Sequence, residues 1–522
     1  MVEVVSIKPL LAIFISLFAT VPIFLFDKRP NMREATSIVA GVLKFLVVIS
    51  MAPTIFAGQI IITPLYTFLP GLDFKLRVDA LGFMFAAIAS FLWIVTSFYS
   101  IGYMRGTHES HQTRYYICFA LALSSTLGVA FSSNLLTLYV FYEMLSLVTV
   151  PLVGHKGTAE SSEGTKKYLI YLAGASKSAL LAAIVLTYSV AGTLDFSASG
   201  LLSELFENAP NTISPALLTL IYMLFLAGFA KAAIMPLHAW LPSAMVAPTP
   251  VSALLHAVAV VKVGVFSVLR VIFHVFGISL MEQLHLGIYT LYLVSFTIIM
   301  ASVYALTRDN LKARLAYSTV SQLSYVVLGA GLLSPSGMMG GIVHIAAHAF
   351  SKITLFFCAG SIYVATHKTC ISEMSGIGRT MPWTMTAFTI GAFGMIGVPP
   401  VAGFLSKWYL VNGAIEARNI PILIVLLSST ILNAAYFLPV IYKAFFEGNV
   451  PREKNVEAHT DSHLLMPQSL GVAAAHAASQ KANQTAEASP FIVVPLMFTA
   501  IGSILVGLFP HYFLELAKQV IQ

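Results

Sequence analysis

The feature that most constrains this chain is the recurrence of apolar stretches along almost its whole length. A helix rises about 1.5 Å per residue, so about 20 such residues cross a hydrocarbon core of about 30 Å. The sequence therefore predicts an all-α, polytopic membrane protein. We place about fourteen spans, near residues 10–26, 35–55, 80–103, 115–133, 135–154, 168–191, 216–239, 251–274, 285–306, 313–333, 338–364, 384–410, 421–446 and 490–509.

Composition excludes a soluble globule. Of 522 residues, 58% are hydrophobic and 10% are charged, whereas about 25% are charged in an ordinary soluble domain. The net charge of +7 is spread over short loops, which argues against a nucleic-acid partner because such a face gathers its basic residues. The partner implied by composition is the lipid bilayer.

The distribution of basic residues predicts the orientation of the chain. Loops after odd-numbered spans hold 17 Lys and Arg residues, and the loops and termini on the other side hold six. Basic residues accumulate on the cytoplasmic side, so both termini are predicted outside. The first span carries no cleavage pattern and is expected to be retained.

Two of the predicted spans are interrupted by proline. The seventh carries Lys231 before Pro236, and the twelfth carries Lys407 after Pro399 and Pro400. Broken helices in corresponding places of two halves are typical of transport sites, and the reversed order suits repeats of opposite orientation. The breaks alone do not establish repeats, because the residue identity between the two halves is slight. We divide the chain into helices 1–3 (1–114), helices 4–8 (115–274), helices 9–13 (285–446), a cytoplasmic loop (447–489) and a last helix with a short tail (490–522).

Ionisable side chains within the spans are the candidate functional residues, because each costs about 2.5–3.5 kcal/mol at mid-bilayer unless it has a partner, a cavity or a function. Glu143 lies near the middle of the fifth span and cannot reach water by extending its side chain. Lys231 is its expected partner, either as part of a proton relay or as a static ion pair that fixes helix packing. Lys262 and His256 are expected along one flank of the eighth span.

In the eleventh span, His344, His348 and Lys352 recur every four residues and fall on one helix face. Imidazole titrates near neutrality, which favours a proton relay over a packing role. A zinc site is disfavoured because no further soft ligand follows. Lys177 lies among small residues and is either structural or part of the relay, whereas Lys44 is nearer a span end and is expected to extend to the interface.

The sequence contains no redox or hydrolytic site. Cys118, Cys358 and Cys370 are isolated, and no phosphate-binding glycine loop is present. We expect no cofactor in this chain, so any reaction that drives transport belongs to another subunit.

Six ordered motifs between about residues 75 and 446 resemble the antiporter-like subunits of respiratory complex I, the D subunit of Mrp cation/proton antiporters and subunits of membrane-bound hydrogenases. The motifs are FYEM at 141–144, KAAIMPLHAWLP at 231–242, APTPVSALLH at 247–256, DNLKARLAYS at 309–318, HIAAHAFSK at 344–352 and GVPPVAGFLSK at 397–407. Some members of this family carry Glu where this chain has Lys407. Among the types named above, this chain most resembles the D subunit of Mrp antiporters.

The resemblance implies fourteen helices with inverted repeats, an ion pair between Glu143 and Lys231, a polar axis through Lys262 and the histidines, and a relay that ends at Lys407. It also implies a prokaryotic plasma membrane location, H⁺ and, in an antiporter, Na⁺ as the ions, and partner membrane subunits that include a second antiporter-like subunit or a redox module. The competing hypotheses are a stand-alone secondary transporter and a structural scaffold.

Overall fold

The structure is a computed structural model that describes residues 2–69, 72–208, 213–254, 258–448 and 486–522. His256 and most of the predicted cytoplasmic loop 447–489 lie outside these residues. In the described part the chain is mostly helical, which confirms the predicted polytopic helical fold.

The N-terminal third combines helices with a small sheet. Its elements are β1 (Glu3–Val5), α1 (Lys8–Leu25), α2 (Pro30–Ile49), α3 (Ala52–Phe56), β2 (Ile60–Leu69), β3 (Leu72–Val78), α4 (Ala80–Gly106) and α5 (Gln112–Ala130). β2 is the central strand, with β1 parallel to it and β3 antiparallel. The all-helical prediction missed these strands, although Ile60, Ile61 and Ile62 are β-branched residues that favour them.

The middle of the chain holds α6 (Leu135–Val153), α7 (Ala159–Ala175), α8 (Leu181–Ala191), α9 (Leu201–Asn208), α10 (Pro215–Gly228), α11 (Trp240–Ser243), α12 (Thr249–Ala253), α13 (Val260–Arg270) and α14 (Ile278–Gln283). A π-helical turn at Ser176–Leu180 joins α7 to α8, and a second one at Val271–Phe276 extends α13.

The last part contains α15 (Leu286–Leu306), α16 (Leu311–Gly331), α17 (Pro335–Thr366), α18 (Ile377–Thr380), α19 (Pro382–Ile396), α20 (Ala402–Glu416), α21 (Ile420–Phe445), α22 (Pro490–Leu508) and α23 (His511–Ile521). Side-chain caps that satisfy free N–H groups mark several helix starts. The capping residues include Asp79, Asn134, Asn310 and Ser334.

Nine helices in the described residues are long and apolar enough to cross a membrane. α16 is not among them although it matches a predicted span, because it carries buried Ser, Thr and Gln side chains between α15 and α17. α17 is the central helix, because it packs against α16, α19, α20 and α22. Its most apolar stretch, which is long enough to cross a membrane, is wholly buried. A helix enclosed by other helices can carry polar groups that a lipid-facing helix cannot.

The two predicted interruptions are confirmed. α10 ends at Gly228 and regular helix resumes only at Trp240, whereas α19 ends at Ile396 and α20 begins at Ala402. The eighth span was predicted as one helix over 251–274, and this is wrong. Ala259, with φ −101° and ψ −85°, lies outside helical conformation and separates α12 from α13.

The physical reason for the placement of α13 is a close backbone approach. A Cβ on Gly264 would lie 2.1 Å from the backbone nitrogen of Ala232 and 2.3 Å from the carbonyl carbon of Lys231. Only glycine permits that distance. α13 therefore packs directly against the broken turn that carries Lys231.

A buried ion cluster fastens the predicted outer end of α4 to α13. The two terminal guanidinium nitrogens of Arg270, Nη1 and Nη2, donate to the carboxylate of Asp79 at 2.5 and 2.7 Å. Arg77 Nε lies 3.8 Å from Asp79 Oδ2. Both Asp79 and Arg270 are buried. Burial opposes ionisation of Asp79, yet the charge and hydrogen bonds of Arg270 hold its pKa well below the usual value.

We expect Asp79→Ala to destabilise the chain by about 3–5 kcal/mol, because it leaves Arg270 as an unpaired buried charge. Labelling of the buried thiols of Cys118 and Cys358 by a fluorescent maleimide during heating measures this change. Asp73→Ala, which removes a partly exposed pair with Lys75, is the control and should shift the melting curve little. Equal curves for the two variants would contradict the assignment.

The direction of the pKa shift also fixes a pH dependence. The folded-state pKa of Asp79 is depressed, so its contribution to stability is present above its unfolded pKa of about 3.9 and is lost as pH falls toward the folded value. Wild type should therefore lose stability below about pH 4 more steeply than Asp79→Ala.

Candidate functional site

The broken turn after α10 presents Lys231 to α6. Its ammonium donates to the carbonyl oxygen of Tyr142 at 2.7 Å and to Ser146 Oγ at 2.6 Å, and it lies over the Tyr142 ring. The side chain is fully buried. Because the helix ends at Gly228, the chain can turn at this depth and direct a lysine toward its neighbour.

The expected direct ion pair between Glu143 and Lys231 is not formed. The ammonium is held by groups of Tyr142 and Ser146 instead, with no Glu143 oxygen within 4.0 Å. Glu143 is half-buried, and its Oε1 atom is buried without a hydrogen-bond partner among the described residues. Tyr142 and Glu143 are consecutive on α6 and so point about 100° apart, which turns the carboxylate away from the groups that hold the ammonium.

Lys262 and His348 make the most direct contact between two predicted residues. Lys262 Nζ lies 2.8 Å from His348 Nδ1. The two side chains come from α13 and α17, and both are buried. A hydrogen bond between an amine and an imidazole nitrogen requires one to donate and the other to accept, so a single proton can pass between them.

His344 connects α17 to both neighbouring helices. Its Nδ1 atom lies 2.8 Å from Ser406 Oγ of α20, and its Nε2 atom lies 3.1 Å from Gln322 Oε1 of α16. Gln322 Oε1 is an acceptor, so the neutral imidazole donates from Nε2 and accepts from the Ser406 hydroxyl. The rings of His344 and His348 are 6.1 Å apart, which leaves room for a proton to cross by a water or a side-chain rotation.

The second break, between α19 and α20, receives Lys407. Its ammonium donates to the carbonyl oxygens of Met395 and Ile396, at 2.8 and 2.9 Å. These carbonyls lie at the end of α19, where they have no helical partner and carry the negative end of the helix dipole.

Lys352 links the polar side chains of α17 to those of α16 and α21. Its ammonium donates to Ser318 Oγ at 2.8 Å, and Ser318 Oγ lies 3.0 Å from the hydroxyl oxygen of Tyr436. Tyr436 donates in turn to Asn433, whose side-chain nitrogen lies 3.4 Å from the Met395 carbonyl oxygen. Lys352 and Lys407 are therefore linked through protein groups.

We call this set the relay network: Lys231, Lys262, His348, His344, Lys352, Lys407, Ser318, Gln322, Ser406, Asn433 and Tyr436. Sequence analysis missed the last five. Buried Gln322 and Asn433 stand within predicted spans, and that position was a usable signal, because an amide in an apolar helix needs a partner. Nothing in the sequence distinguished Ser318 or Ser406 from the many other serines.

Three ionisable residues singled out in the sequence are not included in the relay network. Lys177 is exposed on the π-helical turn and is not joined to the relay network. His256 lies outside the described residues. Lys44 was expected to extend to the interface, which is wrong: it is fully buried and donates to Ser16 Oγ.

Comparison with known proteins identifies the family to which the chain is similar. Residues 132–433 match the family described as NADH:quinone oxidoreductase/Mrp antiporter, TM. Subunit N of the NADH-quinone oxidoreductase of Desulforudis audaxviator is 32% identical over 380 residues, which is 73% of this chain and 74% of that protein. Chain 5 of the NAD(P)H-quinone oxidoreductase of a Picosynechococcus species is 31% identical over 455 residues, 84% of this chain; the match covers 65% of that relative.

Two solved structures share the fold. One is a chain of the membrane-bound sulfane sulfur reductase, an archaeal respiratory membrane complex, with a TM-score of 0.81, 22% identity and coverage of 99% of this chain and 97% of that chain. The other is a chain of the Mrp complex from a Dietzia species, with a TM-score of 0.80, 19% identity and coverage of 98% and 97%.

The region that matches the family covers more than half of the chain and holds ten of the eleven residues of the relay network, all except Tyr436. The two interrupted helices and the buried lysines between them lie inside that region. The chain therefore belongs to the NADH:quinone oxidoreductase/Mrp antiporter transmembrane family.

Proposed function

We propose that this chain is the proton-translocating subunit of a multisubunit membrane complex. The observation that carries the proposal is the contact of Lys262 Nζ with His348 Nδ1, because it joins two titratable side chains in the buried centre of the molecule. Hydroxyl, amide and imidazole groups continue from that contact to Lys407 at the second break. Such a set suits the transfer of protons better than the binding of a solute, which needs a shaped cage of ligands.

The proposed sequence of events starts at α6. A neighbouring subunit moves the Glu143 carboxylate relative to Lys231, and this changes the affinity of Lys231 for its proton. The proton passes to Lys262 on α13. Gly264 of the same helix packs against the backbone of the turn that carries Lys231, and this contact holds the two elements next to each other. From Lys262 the proton moves to His348, then to His344 and finally to Lys407.

The energies of such steps match the work required. One elementary charge moved across 100 mV involves about 2.3 kcal/mol, and one pKa unit is worth about 1.4 kcal/mol. A shift of one to two pKa units at each lysine is therefore sufficient. In an Mrp-type assembly, the proton would be exchanged for Na⁺. In a redox-driven complex, no Na⁺ is required. The lysines of this chain carry the proton in both kinds of complex.

Partners follow from the same proposal. The relatives are named as subunits of quinone oxidoreductases, and the structural neighbours come from a sulfur reductase complex and an Mrp complex. We infer that this chain also works beside other membrane subunits in a prokaryotic plasma membrane, with both termini outside. Lys177, exposed at membrane depth, supports such a covering neighbour because lipid disfavours a bare charge.

The test is proton uptake by inverted native vesicles, measured with a pH-sensitive acridine dye in a strain that lacks the chain and is complemented by variants. Lys231→Met should lower uptake about tenfold or more, since it removes the first acceptor of the relay. Lys177→Met is the matched control, because that lysine is at membrane depth but off the network. Equal uptake by both variants would overturn the proposal.

A second measurement identifies the host complex. The tagged chain is purified from its own membrane by native electrophoresis, and its partners are identified by mass spectrometry. Iron–sulfur or flavin subunits would make it part of a redox-driven pump, whereas small membrane subunits alone would make it part of a gradient-driven antiporter. Recovery of the chain alone would contradict the proposed assembly.

A further inference from the structure

A buried lysine outside the family-matched region points to a second site. The ammonium of Lys44, on α2, donates to Ser16 Oγ of α1 and lies 5.0 Å from the centre of the Trp93 ring of α4. Ser16 is near the middle of α1, and Trp93 is thirteen residues from either end of α4. The ammonium is therefore at mid-membrane depth, and among the described residues it has no carboxylate within 4.0 Å.

The buried face of α2 carries polar groups from this lysine to the helix start. Glu34, Ser37, Gly41 and Lys44 follow one another at intervals of three or four residues, so they lie along one side of the helix. Gly41 has no side chain to fill the space between Ser37 and Lys44, and it packs against Trp93. Glu34, at the predicted cytoplasmic end, forms an ion pair with Arg105 of α4.

Three buried polar atoms along this contact have no hydrogen-bond partner within the part of the chain that the structure describes. They are Ser37 Oγ on α2 and Trp93 Nε1 and Ser97 Oγ on α4. A buried polar group left unpaired costs about 1–3 kcal/mol, and in folded proteins such groups are usually bonded to internal water. Three of them in one helix contact, between an ion pair and a lysine, mark a path that water molecules can occupy.

We propose that Lys44 is a second proton-exchange site, reached from the Glu34 end of α2 through water molecules bound to Ser37, Ser97 and Trp93. A hydrated proton enters beside the Glu34–Arg105 pair, and the Lys44 amine accepts it and returns it. The competing account is a fixed cation that only fastens α1, α2 and α4 through Ser16 and Trp93. The two accounts differ because a fixed cation needs a charge, whereas a proton-exchange site needs a group that can lose its proton.

Access of water is tested with silver ions, which enter narrow aqueous paths and block cysteine thiols. In a chain whose three cysteines are replaced by alanine, Ser97→Cys is placed on the path. Thr96→Cys, at the same depth but at a hydroxyl bonded to the Leu92 carbonyl, is the control. After exposure of inverted vesicles to silver, denatured Ser97→Cys protein should lose maleimide labelling, and Thr96→Cys protein should keep it. Labelling of both, or loss in both, overturns the proposed path.

Proton exchange is tested by two replacements of Lys44 in the assembled complex. Lys44→Met removes the amine, and Lys44→Arg keeps the positive charge but cannot release its proton. Both should lower proton uptake per turnover about tenfold or more, in complexes that remain intact on native gels. Full uptake by the arginine variant would make Lys44 a fixed cation, and full uptake by the methionine variant would remove it from transport. Either result overturns the proposal and leaves the assignment of Lys231 and Lys262 unaffected.

Discussion

Replacing Lys262 by methionine is expected to abolish proton translocation while the complex remains assembled. Methionine keeps the apolar stem of the lysine and removes the amine that contacts His348 Nδ1. Loss of that buried hydrogen bond costs about 1–3 kcal/mol, which is small beside the packing of α13 against the turn of Lys231. The loss should therefore appear in transport rather than in folding.

The measurement is proton uptake by inverted vesicles, with the amount of intact complex determined on native gels. Lys262→Arg is the informative control, because arginine preserves the charge but does not release its proton. We expect it to fail as well. A double variant that also carries His348→Leu should be no worse than Lys262→Met alone, since residues that act in series have non-additive effects. Retention of more than about half of wild-type uptake by Lys262→Met would exclude Lys262 from the proton path.

Replacing Glu143 by alanine is expected to have an effect of the same size for a different reason. Glu143 directly follows Tyr142, whose carbonyl oxygen accepts a hydrogen bond from Lys231. A unit charge about 10 Å away at an effective dielectric constant of 20 is worth about 1.7 kcal/mol, so a carboxylate at about that distance would favour the charged form of the lysine. Loss of that charge should leave Lys231 unable to change its proton affinity.

Glu143→Gln separates charge from shape, because glutamine keeps the size of the side chain and satisfies a hydrogen bond without a charge. Both variants should assemble, and both should lose proton uptake about tenfold or more. Normal pumping by either variant would remove Glu143 from the mechanism. If only the alanine variant fails, the side chain contributes packing at this half-buried position rather than charge.

The proposed control of the pair by a neighbouring subunit is compatible with its geometry. Lys231 is already held by Tyr142 and Ser146, so bringing the carboxylate into contact would exchange one set of partners for another. In the proposed mechanism, these two arrangements are the states between which a small movement of α6 switches. The half-buried position of Glu143 leaves its side chain accessible from the outer face of α6.

Several features followed from the sequence because they depend on local chemistry. Spans were recognisable since lipid requires about 20 apolar residues in a row. The two broken helices were recognisable because proline cannot continue a helix. His344, His348 and Lys352 were expected on one helix face, and the helical repeat places them there on α17.

Other features depend on contacts between distant residues, and no local pattern predicts these. The separation of α12 from α13 accompanies the contact of Gly264 with the backbone of Lys231 and Ala232. Lys44 could have extended to the interface by its position on α2, yet Ser16 and Trp93 hold it inside. The three-stranded sheet pairs Glu3 with Ile60, which are far apart in the chain.

The sequence by itself determined the membrane fold, the family and the ionisable residues inside the apolar spans, because hydrophobicity and residue type are properties of single segments. Tertiary structure alone decided which of those residues meet. It joined Lys262 to His348, gave Lys231 to Tyr142 and Ser146 instead of Glu143, and left Lys177 on the surface. The physical reason is that a hydrogen bond is sensitive to a few tenths of an ångström, and only the packing of whole helices fixes distances to that precision.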